Sequence, residues 1–254
     1  MEVFELETPG TWLTGIEDHS ELGDVSSLLD LLIDCLNDAA VSLWLFDASQ
    51  QLPLHESEAE LEARRAAECS IYQELASKAE DIHAVIRDLL YTANVTAKRQ
   101  RWVEGAVPHT YTRIQPFLHA QSFIYALDTI QKGLKLINRS RTATAEARSA
   151  LGSFERAFPE LVHVRDSAHH REDRARGKRR NSLIDLQADE TPISSGGVAL
   201  FGRTLVGNKY GGTLGDGRYG EVEISHQSLR IVQTIVQLVL NSYEWRGAKV
   251  HYPT

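Results

Sequence analysis

The chain reads as mainly α, a helical bundle with a small glycine-rich β-hairpin inserted before the last helix. Three observations predict this. Apolar residues recur at three- and four-residue spacing over long stretches, as in Leu28, Leu29, Leu32, Leu36, Ala39, Ala40 and Leu43. Helix-start chemistry precedes several of these stripes. Glycine is concentrated in one region, with nine glycines between Gly196 and Gly220, flanked by the β-like runs VALFGRTLV and YGEVEI.

Taken in order, residues 1–24 form an arm, strand-like or irregular, with a turn at Pro9-Gly10. A helix is predicted over 25–46, closed off by Asp47 and Pro53. Ser57 and Glu60 make a capping box, in which the serine oxygen takes an orphan N–H and the glutamate reaches back. From there the stripe Ile71, Leu75, Ala79, Ile82, Ile86 and Leu89 predicts a helix to about residue 94, either continuous or broken near Cys69. Residues 97–107 read as a polar connection, and 110–138 as a helix kinked or restarted at Pro116. A helix over 144–157 stops before Phe158-Pro159, and 161–177 continues as one helix ending at Gly177. Residues 178–197 are polar and irregular, and the turn-rich GNKYGGTLGDGR separates the two hairpin runs. Ser225 caps a last helix over 226–244, apolar nearly all round and therefore central. Four segments follow: the arm 1–24, the helical bundle 25–177, the basic linker and hairpin 178–225, and the C-terminal helix 226–254 packing back on the bundle.

Composition narrows the function classes. The chain has 254 residues and a net charge of −8, so it is not a wholly basic nucleic-acid binder. Cys35 and Cys69 have no CxxC or metal-ligand partner and are expected to be buried, reduced thiols. The acidic MEVFELETPG has no basic or apolar leader region, and the apolar run near Leu28–Phe46 is broken by Asp30, Asp34, Asn37 and Asp38. A cytoplasmic protein without a membrane span is expected. Gly215-Asp-Gly-Arg-Tyr-Gly220 satisfies GxGxxG, but a strand follows where the dinucleotide motif needs a helix. HExxH and GxSxG are absent, and His163, His169 and His170 have no standard zinc spacing, although His163 and His170 share a helix face. No metal or cofactor is expected.

What remains is LVHVRDSAHHREDRARG, residues 161–177. The stripe Leu151, Phe154, Phe158, Leu161 continues at helical spacing to Arg165, Ala168 and Glu172, with His169 beside them. Arginine and glutamate on a buried face are paired or functional. Arg165-Asp166-Ser-Ala-His169-His170 places a polar residue after an arginine and a histidine after four intervening positions. This resembles the R-x4–6-H signature of the HEPN superfamily. Arg113…His119 and Arg156…His163 have the same kind of spacing, but Ile114 and Ala157 follow their arginines, which fits that family less well.

The resemblance implies an all-helical domain that homodimerises and a metal-independent ribonuclease of a defence or toxin–antitoxin type, with Arg165 and His170 carrying the chemistry and His169 and Asp166 beside them. A base for the 2′-hydroxyl and a cation for the phosphorus centre are what such cleavage needs. On an ideal helix Arg165 and His170 lie about 140° apart, so either the helix is distorted or His169 is the partner. Arg171, Arg174, Arg176, Lys178, Arg179 and Arg180 follow, and between 165 and 180 seven basic residues face three acidic ones, a basic patch that would attract RNA. The competing reading is a non-catalytic oligomerisation or partner-binding protein in which Arg165 belongs to an Arg–carboxylate network tying its helix to the bundle.

Overall fold

The computed structural model describes residues 2–52, 56–179, 182–186 and 202–254. In chain order its elements are β1 (Leu6–Thr8), β2 (Trp12–Thr14), α1 (His19–Gln50), α2 (Glu58–Ala76), α3 (Ile82–Val103), α4 (His109–Arg139), α5 (Ala145–Ala157), α6 (Leu161–His169), α7 (Arg171–Ala175), β3 (Lys178–Arg179), β4 (Ser182–Leu183), β5 (Thr204–Val206), β6 (Lys209–Thr213), β7 (Tyr219–Glu223), α8 (His226–Asn241), β8 (Glu244–Arg246) and β9 (Val250–Tyr252). The protein is mainly α. No helix among the described residues is long and apolar enough to cross a membrane. The chain forms two compact units, 1–47 with 116–254, and 48–115.

The larger unit contains the core. The α1 stripe Leu29, Leu32, Leu36 and Leu43, the α4 stripe Phe123, Ile124, Leu127, Ile130 and Leu134, and Leu229, Val232, Val236 and Val239 of α8 are all buried in one cluster. At Gly133 a side chain would bring its Cβ to 3.0 Å from Leu32 Cδ2, so glycine allows α1 and α4 to pack closely there. The loop after α4 is pinned to α1: Ser140 Oγ donates to Glu21 Oε1 at 2.9 Å and Thr142 N–H to the same oxygen at 3.2 Å. Thr144 caps α5 by accepting from Ala147 N–H, and Ser225 caps α8 by accepting from Ser228 N–H. Such caps contribute about 1 kcal/mol each.

The N-terminal arm is more ordered than its sequence suggests. β1 pairs antiparallel with β9 and β2 with β8, so both strands of the arm find their partners beyond the last helix. α1 then begins at His19, earlier than expected. α8 is not apolar all round. Its outer face supports β1: Gln237 Nε2 donates to the Glu7 carbonyl and its Oε1 accepts from Glu7 N–H, while Gln233 Nε2 donates to the Glu5 carbonyl. Polar residues replace apolar ones where the helix covers the unpaired edge of a strand.

The glycine-rich region holds three antiparallel strands, β5-β6-β7, where a two-stranded hairpin was expected. Residues 209–213, read from sequence as part of a turn, form the central strand. A Gly207-Asn208 turn joins it to β5, with Gly207 at φ +60°. Gly211 is a packing glycine, because a Cβ there would collide with the Gly220 carbonyl of β7. Residues 198–201 of the first expected strand, and 187–197 of the expected linker, lie outside the described residues.

The smaller unit is an antiparallel helix pair. The single helix expected to about residue 94 is two, since Asp81 accepts from His83 N–H and Ala84 N–H and starts α3 afresh. The Ser57–Glu60 capping box is present. α3 continues to Val103 through the expected polar connection, because Arg101 pairs with Glu56 at 2.8 Å instead of facing solvent. Glu56 also pairs with Arg64, and Glu68 receives both Arg64 and Asn94 Nδ2. α4 runs through Pro116 as one helix. Cys35 is buried, and burial with Asp38 and Asp34 nearby pushes its thiol up to about 11. Cys69 is exposed, contrary to expectation, because α2 has no buried residues.

At the start of α8, His226 sits between two carboxylates, with Nδ1 2.7 Å from Glu2 Oε2 and Nε2 2.8 Å from Asp47 Oδ2. Both contacts suit the doubly protonated imidazolium. The Asp47 bond, against the opposing effect of burial and with help from Glu2, raises the His226 pKa above its ordinary value of 6.5. Arg230 above all, and His226 with it, lowers that of Glu2. The stability from His226 is therefore fully present below about pH 6.5 and is lost as pH rises through the raised folded value. That from Glu2 is present above the ordinary carboxylate range and is lost as pH falls through its lowered value. Because His226 is partly exposed, its share is expected to be about 0.5–1 kcal/mol. Urea unfolding of wild type and His226→Gln at pH 6 and pH 9 checks this: the gap between the two proteins should shrink at the higher pH, and an equal gap at both would contradict it.

Candidate active site

The segment 161–177 is two helices. α6 ends at His169, and His170, at φ −97° and ψ +49°, leaves helical geometry before α7 begins. Gly177, at φ +64°, sits just past the end of α7 as expected of a helix stop. The buried face of α6 runs Leu161, Val164, Ser167 and Ala168, so Leu161 and Ala168 are buried as expected while Val164 takes the place expected of Arg165 and the stripe shifts from there. Arg165 lies at the edge of that face, and His169 and Glu172 are exposed. The shift has a simple cause. α5 stops at Phe158, and α6 starts afresh at Leu161 after a Pro159-Glu160 turn, so the α5 stripe does not carry over.

A cleft of about 360 Å³ opens beside the break, lined by His163, Asp166, His170, Asp173, Arg174, Arg179, Gly215 and Asp216. Three segments build it. α6 supplies His163 and Asp166 seven and four residues before His170. α7 and β3 supply Asp173, Arg174 and Arg179. The turn between β6 and β7 supplies Gly215 and Asp216. A Cβ at Gly217 would collide with the Asp185 carbonyl, so this turn needs glycine to approach the segment after β4.

The arginines divide into two groups. Arg165 turns away from the cleft wall: its Nη2 is 3.1 Å from Asp128 Oδ1 on α4, and its Nη1 2.7 Å from Asp166 Oδ1. Asp128 is 3% exposed and is also held by Lys132 at 2.7 Å. Arg165 Nε is buried without a hydrogen-bond partner among the described residues. Arg174 is 4% exposed. Its Nε donates to Ser167 Oγ at 3.3 Å and its Nη1 to the Lys178 carbonyl at 2.6 Å. Burial, partly opposed by Asp173 and reinforced by Arg179, lowers its pKa.

Of the residues singled out from sequence, Asp166, His170, Arg174 and Arg179 therefore meet in one cleft. Arg165 stands behind Asp166. His169 is exposed and only meets the His170 ring edge-on, at 5.1 Å between centroids. Arg176 is taken up by Asp173 at 2.6 Å and by the Glu172 carbonyl. Arg171 is exposed, Lys178 contributes its backbone carbonyl, and Arg180 lies outside the described residues. His163, Asp173, Gly215 and Asp216 were not assigned to the site from sequence. The seven-residue spacing of His163 and His170 was a signal for the first. Nothing local announces Asp216, which arrives from the far side of a three-stranded sheet. His170, Glu172 and Asp173 also bring three potential metal-ligand atoms within 4.8 Å of one another, a grouping that histidine spacing alone did not reveal.

The Arg165–Asp128 pair ties α6 to α4. Removing one partner of a buried pair costs about 3–5 kcal/mol when the other is left alone. Lys132 remains on Asp128, so Arg165→Ala is expected to lose less than that, and Asp128→Asn combined with Arg165→Ala should lose less than the two single losses added together. Denaturant midpoints of the four proteins measure the coupling, and strict additivity would show that the pair is not acting as a unit. No protein-family model, characterised protein or solved structure matches this chain.

Proposed function

We propose that the protein is a HEPN-like, metal-independent endoribonuclease of a defence or toxin–antitoxin type, acting as a homodimer in the cytoplasm. The observation that supports this reading is the cleft that gathers two histidines, His163 and His170, with the guanidiniums of Arg174 and Arg179. An imidazole changes charge between about pH 5 and 8 and can both take and give a proton. In the proposed reaction one histidine removes the proton of a ribose 2′-hydroxyl, and the 2′-oxygen forms a bond to the adjacent phosphorus. The bond from phosphorus to the 5′-oxygen breaks, and the other histidine gives that leaving oxygen a proton. The guanidiniums stabilise the extra negative charge on the phosphoryl oxygens. His170 takes the role the family resemblance gives to its histidine. Arg165 serves as a positioning residue, holding Asp166 at the cleft wall from behind. His169, Arg171, Arg176, Lys178 and Arg180 contribute, in this reading, only to a basic surround for RNA.

A second reading is favoured by one observation, the pairing of Arg165 with buried Asp128. In it the chain is a non-catalytic oligomerisation or partner-binding protein, and Arg165 is purely structural. The two are separated by incubating total RNA with wild type, His163→Ala, His170→Ala and Arg165→Ala in the presence of EDTA. The ribonuclease reading expects cleavage by wild type and a loss of about 100-fold or more in His170→Ala, with an unchanged melting profile for that exposed position. Absence of cleavage by wild type, or equal cleavage by all four proteins, would sink it. Cleavage abolished by EDTA would overturn its metal independence and direct attention to His170, Glu172 and Asp173.

A further inference from the structure

The charges lining the cleft are not evenly matched. Each of its three carboxylates is already occupied by an arginine that does not line the cleft: Asp166 by Arg165 at 2.7 Å, Asp173 by Arg176 at 2.6 Å and Asp216 by Arg218 at 3.0 Å. The two arginines that do line it, Arg174 and Arg179, have no ion pair among the described residues. Arg174 spends Nε and Nη1 on neutral oxygens, of a serine and a backbone carbonyl, and its Nη2 makes no hydrogen bond among the described residues. A buried guanidinium costs free energy unless a counter-charge meets it. A second guanidinium beside it adds to that cost. Gly215 presses the backbone of the β6–β7 turn against both: a Cβ there would lie 3.2 Å from Arg174 Nη2 and 3.1 Å from Arg179 Nε. The absence of a side chain at 215 leaves the mouth of the cleft open in front of the two cations.

We propose that this cleft is a built phosphate site, in which Arg174 Nη2 and the Arg179 guanidinium together hold one phosphate group of an RNA backbone, with Gly215 leaving the room for it. Among the described cations of 171–179, Arg174 is the fixed, buried donor, whereas exposed cations attract polyanions only diffusely. The ligand class rests on the ribonuclease reading, but the anion site does not. The GDGRYG turn, which fails as a dinucleotide motif, acquires a role here as one wall of the site.

Calorimetric titration of the full chain with inorganic phosphate, at ionic strength held constant with sodium chloride, tests the site. Wild type is expected to bind saturably. Arg179→Ala, an exposed position whose loss should leave the fold intact, is expected to weaken binding about 10-fold or more. Arg174→Lys keeps the charge but loses the fixed fork and should also weaken it, with the melting temperature showing whether the Ser167 and Lys178 contacts survive. No saturable binding by wild type, or equal affinity in wild type and Arg179→Ala, would overturn the site. Hexauridylate is expected to displace phosphate, and failure to compete would overturn the assignment to an RNA backbone. Phosphate binding without RNA cleavage would defeat the ribonuclease reading while leaving the site standing. RNA cleavage with the same KM in wild type and Arg179→Ala would do the reverse.

Discussion

Arg174 makes the contacts on which the local architecture depends. It lies in α7, four residues after the break at His170, and its guanidinium reaches back to Ser167 on α6 and forward to the Lys178 carbonyl at the start of β3. One side chain thus fixes the angle of the break from both sides. A free chain end at residue 169 would leave the last carbonyls of α6 to solvent. Here His170 N–H closes α6 on the Asp166 carbonyl, and Arg174 N–H opens α7 on that of His170, with the ladder interrupted between them. His170, at the bend, shares a cleft with His163 and Asp166, the residues seven and four positions earlier that helical spacing already aligns with it. On a straight helix it would lie about 140° from Arg165.

The second support lies behind the cleft. Asp128, Lys132, Arg165 and Asp166 form a chain of charges from the buried surface of α4 to the cleft wall. An arginine read from sequence as the most conspicuous member of the site is thereby one layer removed from it. The two roles suggested by its position, in a network or at a site, are compatible: by pairing with Asp166 it removes negative charge from the cleft while anchoring α6. The same device recurs with Arg176 on Asp173 and Arg218 on Asp216, so each carboxylate of the lining is paired from outside it, while Arg174 and Arg179 have no ion pair among the described residues.

How much of this was legible in the sequence follows from the range of each interaction. Capping and periodicity are local, and Ser57, Ser225 and the stripes of α1, α4 and α8 were readable because a helix is stabilised by neighbours three and four residues away. The Asp81 cap was equally local and was passed over, since the apolar stripe continued across it. Glycine misled in the opposite direction. Residues 209–213 look like a turn because glycine is a turn residue, but Gly211 is there because another backbone lies against it. Composition cannot separate those two uses. β1 and β2 were unreadable as paired strands for a related reason: their partners lie 230 or more residues away.

The sequence by itself determined that the protein is mainly α, that a polar segment with Arg165, Asp166, His169 and His170 interrupts an apolar pattern late in the chain, and that on a regular helix His169, not His170, lies beside Arg165. Only the tertiary structure decided which groups meet. That His170 and not His169 lines the cleft, that Arg165 stands behind Asp166, and that Gly215 and Asp216 arrive from a distant turn are facts of where the segments meet. Those outcomes are set by contacts between segments separated along the chain, and no periodicity within one segment encodes them.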